Sequence, residues 1–276
     1  MKIRLVTDST ADIPADLLTK HKIEVVPALL IIDGESYADG EGITREEFYA
    51  RMPTMQAPAT TAAPSVGSFM ERYEKLLSAG AEKVLSIHAA STLSGIFNAA
   101  RLAAENFGER VQVFDSKQLS LGCGFQVLSA AEAIAKGTAI GEITHLLENL
   151  QKKLKLVAVL DTLEFLRRSG RVSWTKARLG SFLNLKPLIE LVDGRVENLG
   201  AVRTTRLANI RILEMLREVG NLEELVILHT NAEERARQFL ANFTSNLPAP
   251  PRVINVTTAI GAHLGPNGVG FAAVRK

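Results

Sequence analysis

The sequence predicts an α/β protein of two α/β lobes, and three observations carry that prediction. Short apolar runs of strand length alternate with helical patterns, the order that gives parallel strands joined by crossovers. A chain of 276 residues is long for one small domain and suits two lobes. Its hydrophobic fraction of 46% and charged fraction of 22% are ordinary for a protein with a sizeable core.

The first strand is the apolar run Ile3 to Thr7, ending in the polar turn Asp8-Ser9-Thr10. A short helix follows, with Pro14 near its first turn, where a missing N–H is tolerated. Asp33-Gly34 inside the next apolar stretch is a two-residue hairpin turn. Thr44 and Glu47 have capping-box spacing and open a helix through Arg51. The stretch 51–64, rich in Pro, Ala and Thr, reads as an exposed or ligand-facing loop. Ser65 then caps a helix to about Ser78 with Val66, Phe69, Met70, Tyr73, Leu76 and Leu77 on one stripe.

"KVLSIHA" is a buried strand, and "STLSGIF" after it enters an alanine-rich helix with Ser94 at the N-cap position. Gly95 next to it lets a ligand approach the backbone, and a bare helix N-terminus attracts an anion. "VQVFDS" (111–116) is another strand; helices follow over about 119–136 and 141–153. Asp8-Ser9-Thr10, Ser91 to Gly95 and Asp115-Ser116 all fall at predicted carboxyl ends, so one sheet edge should gather them, where ligands bind in such folds.

The second lobe begins near Lys155, giving domains of 1–154 and 155–276. It has a strand over 155–160, then a helix opened by Asp161 with Glu164, and "RRSGRVS" as a basic loop. "PLIELVDGRVENLGAVR" is a meander turning at Asp193-Gly194, and a helix spans about Thr205 to Glu218. "ELVILH" is a strand, Asn231 and Glu234 cap another helix, and "VINVT" and "VGFAAV" are strands.

A net charge of +2 with no block of like charge, and only 5% aromatics, argues against an extended nucleic-acid surface. The one cysteine, Cys123, excludes an internal disulfide and a Cys-rich zinc site, and a reducing compartment is the simplest setting. "MKIRLVTDST" lacks a signal-peptide core, and no run approaches the ~18–20 apolar residues of a membrane span, so the expected location is the cytoplasm.

"GAHLGPNGVG" (261–270) lacks the Lys-Ser/Thr ending of a phosphate loop and leads into a strand, so it reads as a tight loop carrying His263 toward a cleft. Ser94 and His263, with Asp8 or Asp115 as a third member, would make a hydrolase, but the G-x-S-x-G elbow is missing. Asp8, Asp12, Asp115 and His88 allow a metal site on composition, with no ligand spacing to support one. Thr60, Thr61 and Ser65 surround Pro64, and Thr61 is a hydroxyl donor for the same cleft; Arg167, Arg168 and Arg171 are either a solvated face or guards of its entrance.

Taken in order, "VTDSTADIP" (6–14), "VVPALLIIDGESYADGEGIT" (25–44), "TTAAPS" (60–65), "STLSGIF", "VFDSKQLSLGCG" (113–124), "LEFLRRSGRVS" (163–173), "KPLIELVDGRV" and "IGAHLGPNGVG" cover nearly the whole chain. With these motifs the chain resembles the DegV family of bacterial fatty-acid-binding proteins, whose better-understood members are the lipid-carrying subunit of a fatty acid kinase. The resemblance implies two α/β domains with an apolar tunnel at their junction. One long-chain fatty acid would lie in it, with no other cofactor. Its carboxylate would be held by Thr61, Ser94 and His263 beside Gly95, with Arg171 near the site. Arg203 matches a surface arginine linked to docking of the separate ATP-binding kinase subunit. The family's T-S-Q-P-S appears here as Thr61-Ala62-Ala63-Pro64-Ser65, and its L-S-G-T as Leu93-Ser94-Gly95-Ile96. Those changes bear on chain preference more than on the head-group residues.

Overall fold

A computed structural model of the chain describes residues 2–172, 185–243, 247 and 250–276. In chain order its first part contains β1 (Ile3–Asp8), α1 (Ala15–His21), β2 (Glu24–Val26), β3 (Leu29–Ile32), β4 (Glu35–Ala38), α2 (Arg45–Arg51) and β5 (Thr60–Ala62). It continues with α3 (Val66–Ser78), β6 (Lys83–His88), α4 (Ile96–Ala104), β7 (Val111–Asp115), α5 (Ser120–Ala135) and α6 (Ile140–Gln151). The second part contains β8 (Leu154–Val159), α7 (Glu164–Ser169), β9 (Lys186–Val192), β10 (Arg195–Val202), α8 (Thr205–Glu218) and β11 (Leu222–Thr230). It ends with α9 (Glu233–Ala241), β12 (Arg252–Asn255), α10 (Thr258–Leu264) and β13 (Gly268–Arg275).

The fold is mixed α/β. Strands β1, β2, β6 and β7 form a parallel sheet in the order β2-β1-β6-β7. Successive strand residues point to opposite faces, so the sheet is buried on both. Ile3, Leu5, Leu85 and Ile87 pack against Cys123, Val127 and Ala130 of α5 and Ile143 and Leu147 of α6. Val6, Val84 and Val111 pack against Phe69, Tyr73 and Leu76 of α3 and the alanines of α4. Ser65 caps α3 by accepting the Ser68 N–H, and Thr44 and Glu47 form a complete capping box on α2. Small residues along α4 let it lie close to the sheet.

Residues 51–64 are more ordered than a loop. Thr60–Ala62 pairs with β3, giving a small antiparallel sheet β4-β3-β5 whose hairpin turns at Asp33-Gly34. The prediction failed there because a three-residue edge strand carries too little pattern to register.

The second sheet runs β10-β9-β8-β13-β11-β12, with β13 between β8 and β11. Among the described residues all its pairings are antiparallel except β11 with β12. One face is covered by Ala208, Ile212 and Leu216 of α8 and Ala236 and Phe239 of α9. The other face looks toward the first lobe, where Leu154, Val226, Leu228 and Ala272 meet Leu121 and Phe125 of α5.

Two predicted helix openings are corrected. Asp161 does not cap α7: its carboxylate pairs with Lys186, and Thr162 Oγ1 accepts the Glu164 N–H instead. Asn231 does not cap α9, whose N-cap is Ala232; Asn231 sits at φ 50° and donates its N–H to Asn255. Arg167 and Arg168 lie on α7 and not in a loop, while Ser173 of the same motif is outside the described residues. Among the described residues no helix is long and apolar enough to cross a membrane.

Candidate functional site

Parallel pairing puts Asp8, His88 and Asp115 at the same edge of the first sheet, as the strand order predicts. The chemistry of these groups is inward. Asp8 accepts from the Thr10 N–H (3.0 Å), the Thr10 hydroxyl and the Ala89 N–H (3.2 Å), and meets His88 Nδ1 at 2.9 Å. His88 Nε2 lies 2.6 Å from Ser86 Oγ, which accepts from the Tyr73 hydroxyl at 2.8 Å. Burial alone would raise the Asp8 pKa, but the His88, Thr10 and Ala89 interactions outweigh it and hold it below the usual range. This Ser-His-Asp string is completely buried, so no substrate reaches it. It ties the turn after β1 to the turn after β6.

Those turns frame a cavity of about 190 Å³ between the lobes. On the same measure ~10–15 Å³ admits a water, so the space has room for a guest much larger than a single solvent molecule. Thr61, Ser94, Gly95, Arg171 and His263 all line it; Arg203 does not and is exposed just ahead of α8. Most of the remaining wall is aliphatic, including Leu156, Ala158 and Leu160 of β8, Ile189 and Leu191 of β9, and Leu228 and Ile260.

Each polar residue has a local reason for its place. Thr61 is central in β5, opposite Leu30. The N-cap of α4 is Gly95, one position later than predicted, and Ser94 Oγ accepts the Ile96 N–H at 3.3 Å. Gly95 has an ordinary φ of −72°, and a Cβ there would meet Ala63 at 3.5 Å, so the position is open without requiring glycine. The TTAAPS segment thus lies directly beside the LSGI turn.

His263 corrects the loop expectation: it is in the last turn of α10. That helix is short and buried, and its glycine-flanked sequence hides it. Thr257 caps it, and two buried carboxylates from the other lobe grip its start. Asp39 accepts from the Thr257 and Thr258 hydroxyls, each at 2.6 Å. Asp12 accepts from the Thr257 N–H (2.8 Å) and the Ser120 hydroxyl (2.6 Å) and faces Arg45 at 3.5 Å. Burial above all pushes Asp12 up to about 7, against the opposing pull of Arg45.

At the far end Gly265 closes α10 at φ 75°, and a Cβ there would fall 2.3 Å from the Phe165 ring. Gly265→Ala therefore meets both backbone strain and overlap; the expected loss is about 1–3 kcal/mol, read by urea denaturation. The fixed helix brings His263 Nε2 to 2.7 Å from Thr61 Oγ1. Burial first, and then the Arg171 charge, holds His263 down to about 4, so it is neutral at pH 7. Arg171 itself is anchored through its guanidinium to the Ser169 carbonyl at 2.7 Å.

The acids considered for a hydrolase are engaged elsewhere. Asp8 serves His88 and Thr10, and Asp115 accepts the N–H groups of Ser91 and Lys117. Among the described residues, no three His, Cys, Asp or Glu side chains come together as metal ligands. Asp39 and Thr257 are the members of this region that sequence reasoning missed; only the helix-cap preference of threonine hinted at either.

The fold and cavity define a two-lobed mixed α/β protein built around an inter-lobe chamber. The chain belongs to the DegV family: the family described as "Uncharacterised protein, DegV family" matches residues 2–276. A DegV domain-containing protein of Staphylococcus aureus (strain MRSA252) is 34% identical, with 99% of this chain and 98% of that protein aligned. Among solved structures, a DegV family protein from Thermus thermophilus, described as fatty acid binding, superposes with a TM-score of 0.93 at 36% identity. DegV from Bacillus subtilis, described as a fatty acid binding protein, gives a TM-score of 0.88 at 30% identity. Both comparisons cover 100% of each chain.

Proposed function

We propose that this protein binds one long-chain fatty acid in the inter-lobe cavity and presents its carboxylate to a separate ATP-dependent fatty acid kinase subunit. The observation that carries the reading is the gathering of Thr61, Ser94 and His263 on the wall of an otherwise mostly aliphatic space. The fatty acid binding described for the Thermus thermophilus and Bacillus subtilis relatives supports it. In this reading residues 1–154 and 155–276 act as two domains, the first supplying the carboxylate loops and the second the histidine.

The physics divides the work. Transfer of ~15 methylenes from water is worth about 12 kcal/mol, part of which association and ordering consume. A buried carboxylate adds little net affinity because its desolvation is costly. Neutral hydroxyls, an imidazole N–H and helix N–H groups make that burial tolerable and fix which end of the chain goes where. A carboxylate oxygen held this way is available for phosphorylation, which itself needs a nucleotide and metal positioned around the γ-phosphate. Arg203, exposed beside α8, is the proposed contact for the kinase subunit, and the product is an acyl phosphate formed on the complex.

Protein purified from a bacterial host is expected to carry fatty acid, detectable by native mass spectrometry. Ser94→Ala and His263→Ala are each expected to weaken oleate or palmitate binding about tenfold, the scale of one lost charge-assisted hydrogen bond, without loss of fold. Unchanged affinity together with unchanged kinase-coupled phosphorylation would remove the head-group assignment. Acyl phosphate or ester turnover by the isolated chain would remove the carrier reading.

A further inference from the structure

Little on the cavity wall can balance the charge of a buried acid. Its charged or titratable lining residues are Arg171, Glu190, His229 and His263. Glu190 pairs with Lys155 and brings no spare charge. Arg171 is exposed, with its guanidinium anchored to the Ser169 carbonyl. His229 commits Nδ1 to the Ala232 N–H. His263 meets the Thr61 hydroxyl through Nε2, and a neutral imidazole carries one N–H and one lone pair, so it can take up a proton.

The surroundings of His263 are nearly free of other titrating groups. Helix α10 packs on α7, β3 and β5 and, through Ala262, on Phe48 and Tyr49 of α2. Strands β3 and β5 carry no titratable side chain. On α7, Glu164 pairs with Arg168, and Arg167 is exposed. On α2, Arg45 faces Asp12, Glu47 closes the capping box, Arg51 reaches the Tyr37 hydroxyl and Glu46 is exposed. Burial keeps the Tyr49 phenol protonated. Asp12 and Asp39 stand at the opposite end of the helix, at Thr257. Among the described residues Arg171 is the charge that acts on His263, and it opposes protonation.

An alkyl carboxylic acid resembles a glutamate side chain, whose pKa of about 4.3 makes it an anion at pH 7. Moved into this chamber, the anion loses hydration that a few hydroxyls replace only in part. The imidazole can neutralise it. A carboxylate within ~4–6 Å reverses the balance on a histidine, because the opposite charge favours the imidazolium. The fold already buries one carboxylate against one imidazole, Asp8 and His88 at 2.9 Å.

We propose that the fatty acid binds together with one proton, which His263 takes from solvent as the carboxylate docks, leaving a carboxylate–imidazolium pair with no net charge in the chamber. The inference rests on the fatty-acid reading above and adds the charge state in which the ligand is held. The proton adds to the imidazole lone pair, and no bond of the acid forms or breaks. Affinity therefore falls as pH rises: above about pH 5 the free acid and the unliganded His263 have both lost their protons, whereas the complex keeps one.

Calorimetric titration of oleate into the full chain at about pH 6, in two buffers of different ionisation enthalpy, counts the protons taken up. Wild type is expected to take up about one per acid bound. Its Kd for a fluorescent long-chain acid, cis-parinarate, used as the probe, is expected to rise by up to about tenfold per pH unit between about pH 5.5 and 7.5. His263→Gln keeps a donor and an acceptor beside Thr61; it is expected to bind without proton uptake and with a Kd that is flat over that range. Asp12→Asn removes the other buried group that titrates near neutrality and is expected to leave the uptake at about one.

Uptake below about half a proton by wild type, with oleate bound, overturns the inference and leaves the fatty-acid reading standing. Uptake that persists in His263→Gln puts the proton on the acid itself, and uptake that disappears in Asp12→Asn puts it on Asp12; either result overturns the assignment. Should the glutamine variant fail to fold or bind, oleate isotope-labelled at its carboxyl carbon decides the matter in wild type by NMR. The bound acid is expected to show the shift of an ionised carboxylate at about pH 6, and the shift of the protonated acid overturns the pair. If wild type binds no oleate anywhere in this pH range, the fatty-acid reading fails and the proton falls with it.

Discussion

Asp39→Ala is expected to lower unfolding stability by about 3 kcal/mol and to impair ligand binding, although Asp39 does not line the cavity. Its carboxylate accepts the hydroxyls of Thr257 and Thr258, all of them buried. Alanine leaves both donors without an acceptor, at about 1–3 kcal/mol each, partly offset because a buried charge also disappears. The helix whose start they hold carries His263 at its end, so loosening the first turn displaces the imidazole from Thr61. Urea denaturation and probe binding give the two readouts. Asp39→Asn keeps one acceptor oxygen and should fall between wild type and alanine. A loss below about 1 kcal/mol for alanine would mean that the junction does not depend on this carboxylate.

Asp12→Asn is expected to change the pH dependence of stability more than stability at any one pH. Asp12 is raised from 3.8 to about 7, with Arg45, Asp39, Ser120 and Thr257 around it. The folded state therefore holds a proton that the unfolded chain has released. Its stabilising contribution is complete below pH 3.8 and is lost as pH rises through about 7, a swing of roughly 4 kcal/mol. His263 acts in the opposite sense. Lowered from 6.5 to about 4, it stays neutral in the folded state while the unfolded imidazole takes up a proton, so stability is lost as pH falls from 6.5 through about 4. The two contributions oppose one another between pH 4 and 6.5 in the wild type. Asparagine removes one of them. Relative to wild type, the variant should gain stability steadily from pH 4 to pH 8 in denaturant titrations; a constant difference would show that Asp12 does not hold its proton.

Local chemistry made much of the fold readable. The turns Asp33-Gly34 and Asp193-Gly194, the Thr44–Glu47 capping box and the Ser65 cap involve only near neighbours, and each is where the spacing places it. Helix α8 was bounded at Thr205 and Glu218 because its apolar period is long and clear. The failures are places where a distant partner overrode a local signal. Asp161 and Asn231 have cap-compatible spacing, yet Lys186 and Asn255 engage them. Helix α10 was invisible because Gly261 reads as a loop residue; there it makes room for Tyr49, whose hydroxyl would lie 2.3 Å from a Cβ. Thr61, Ser94 and His263 were legible as motif residues, and the structure lines one chamber with them. The grip of Asp12 and Asp39 was not, since the two carboxylates lie 245 and 218 residues from the threonine they share.

The central position of β13 has a consequence for synthesis. Every strand of the first sheet has emerged once β7 is made, so that layer can assemble early. The second sheet cannot, because the strand that joins β8 to β11 is the last of that sheet's strands to be made. Until then two ribbons with open hydrogen-bonding edges wait side by side, which makes this half of the chain the part most exposed to mispairing with a neighbour and the part most in need of a chaperone's protection.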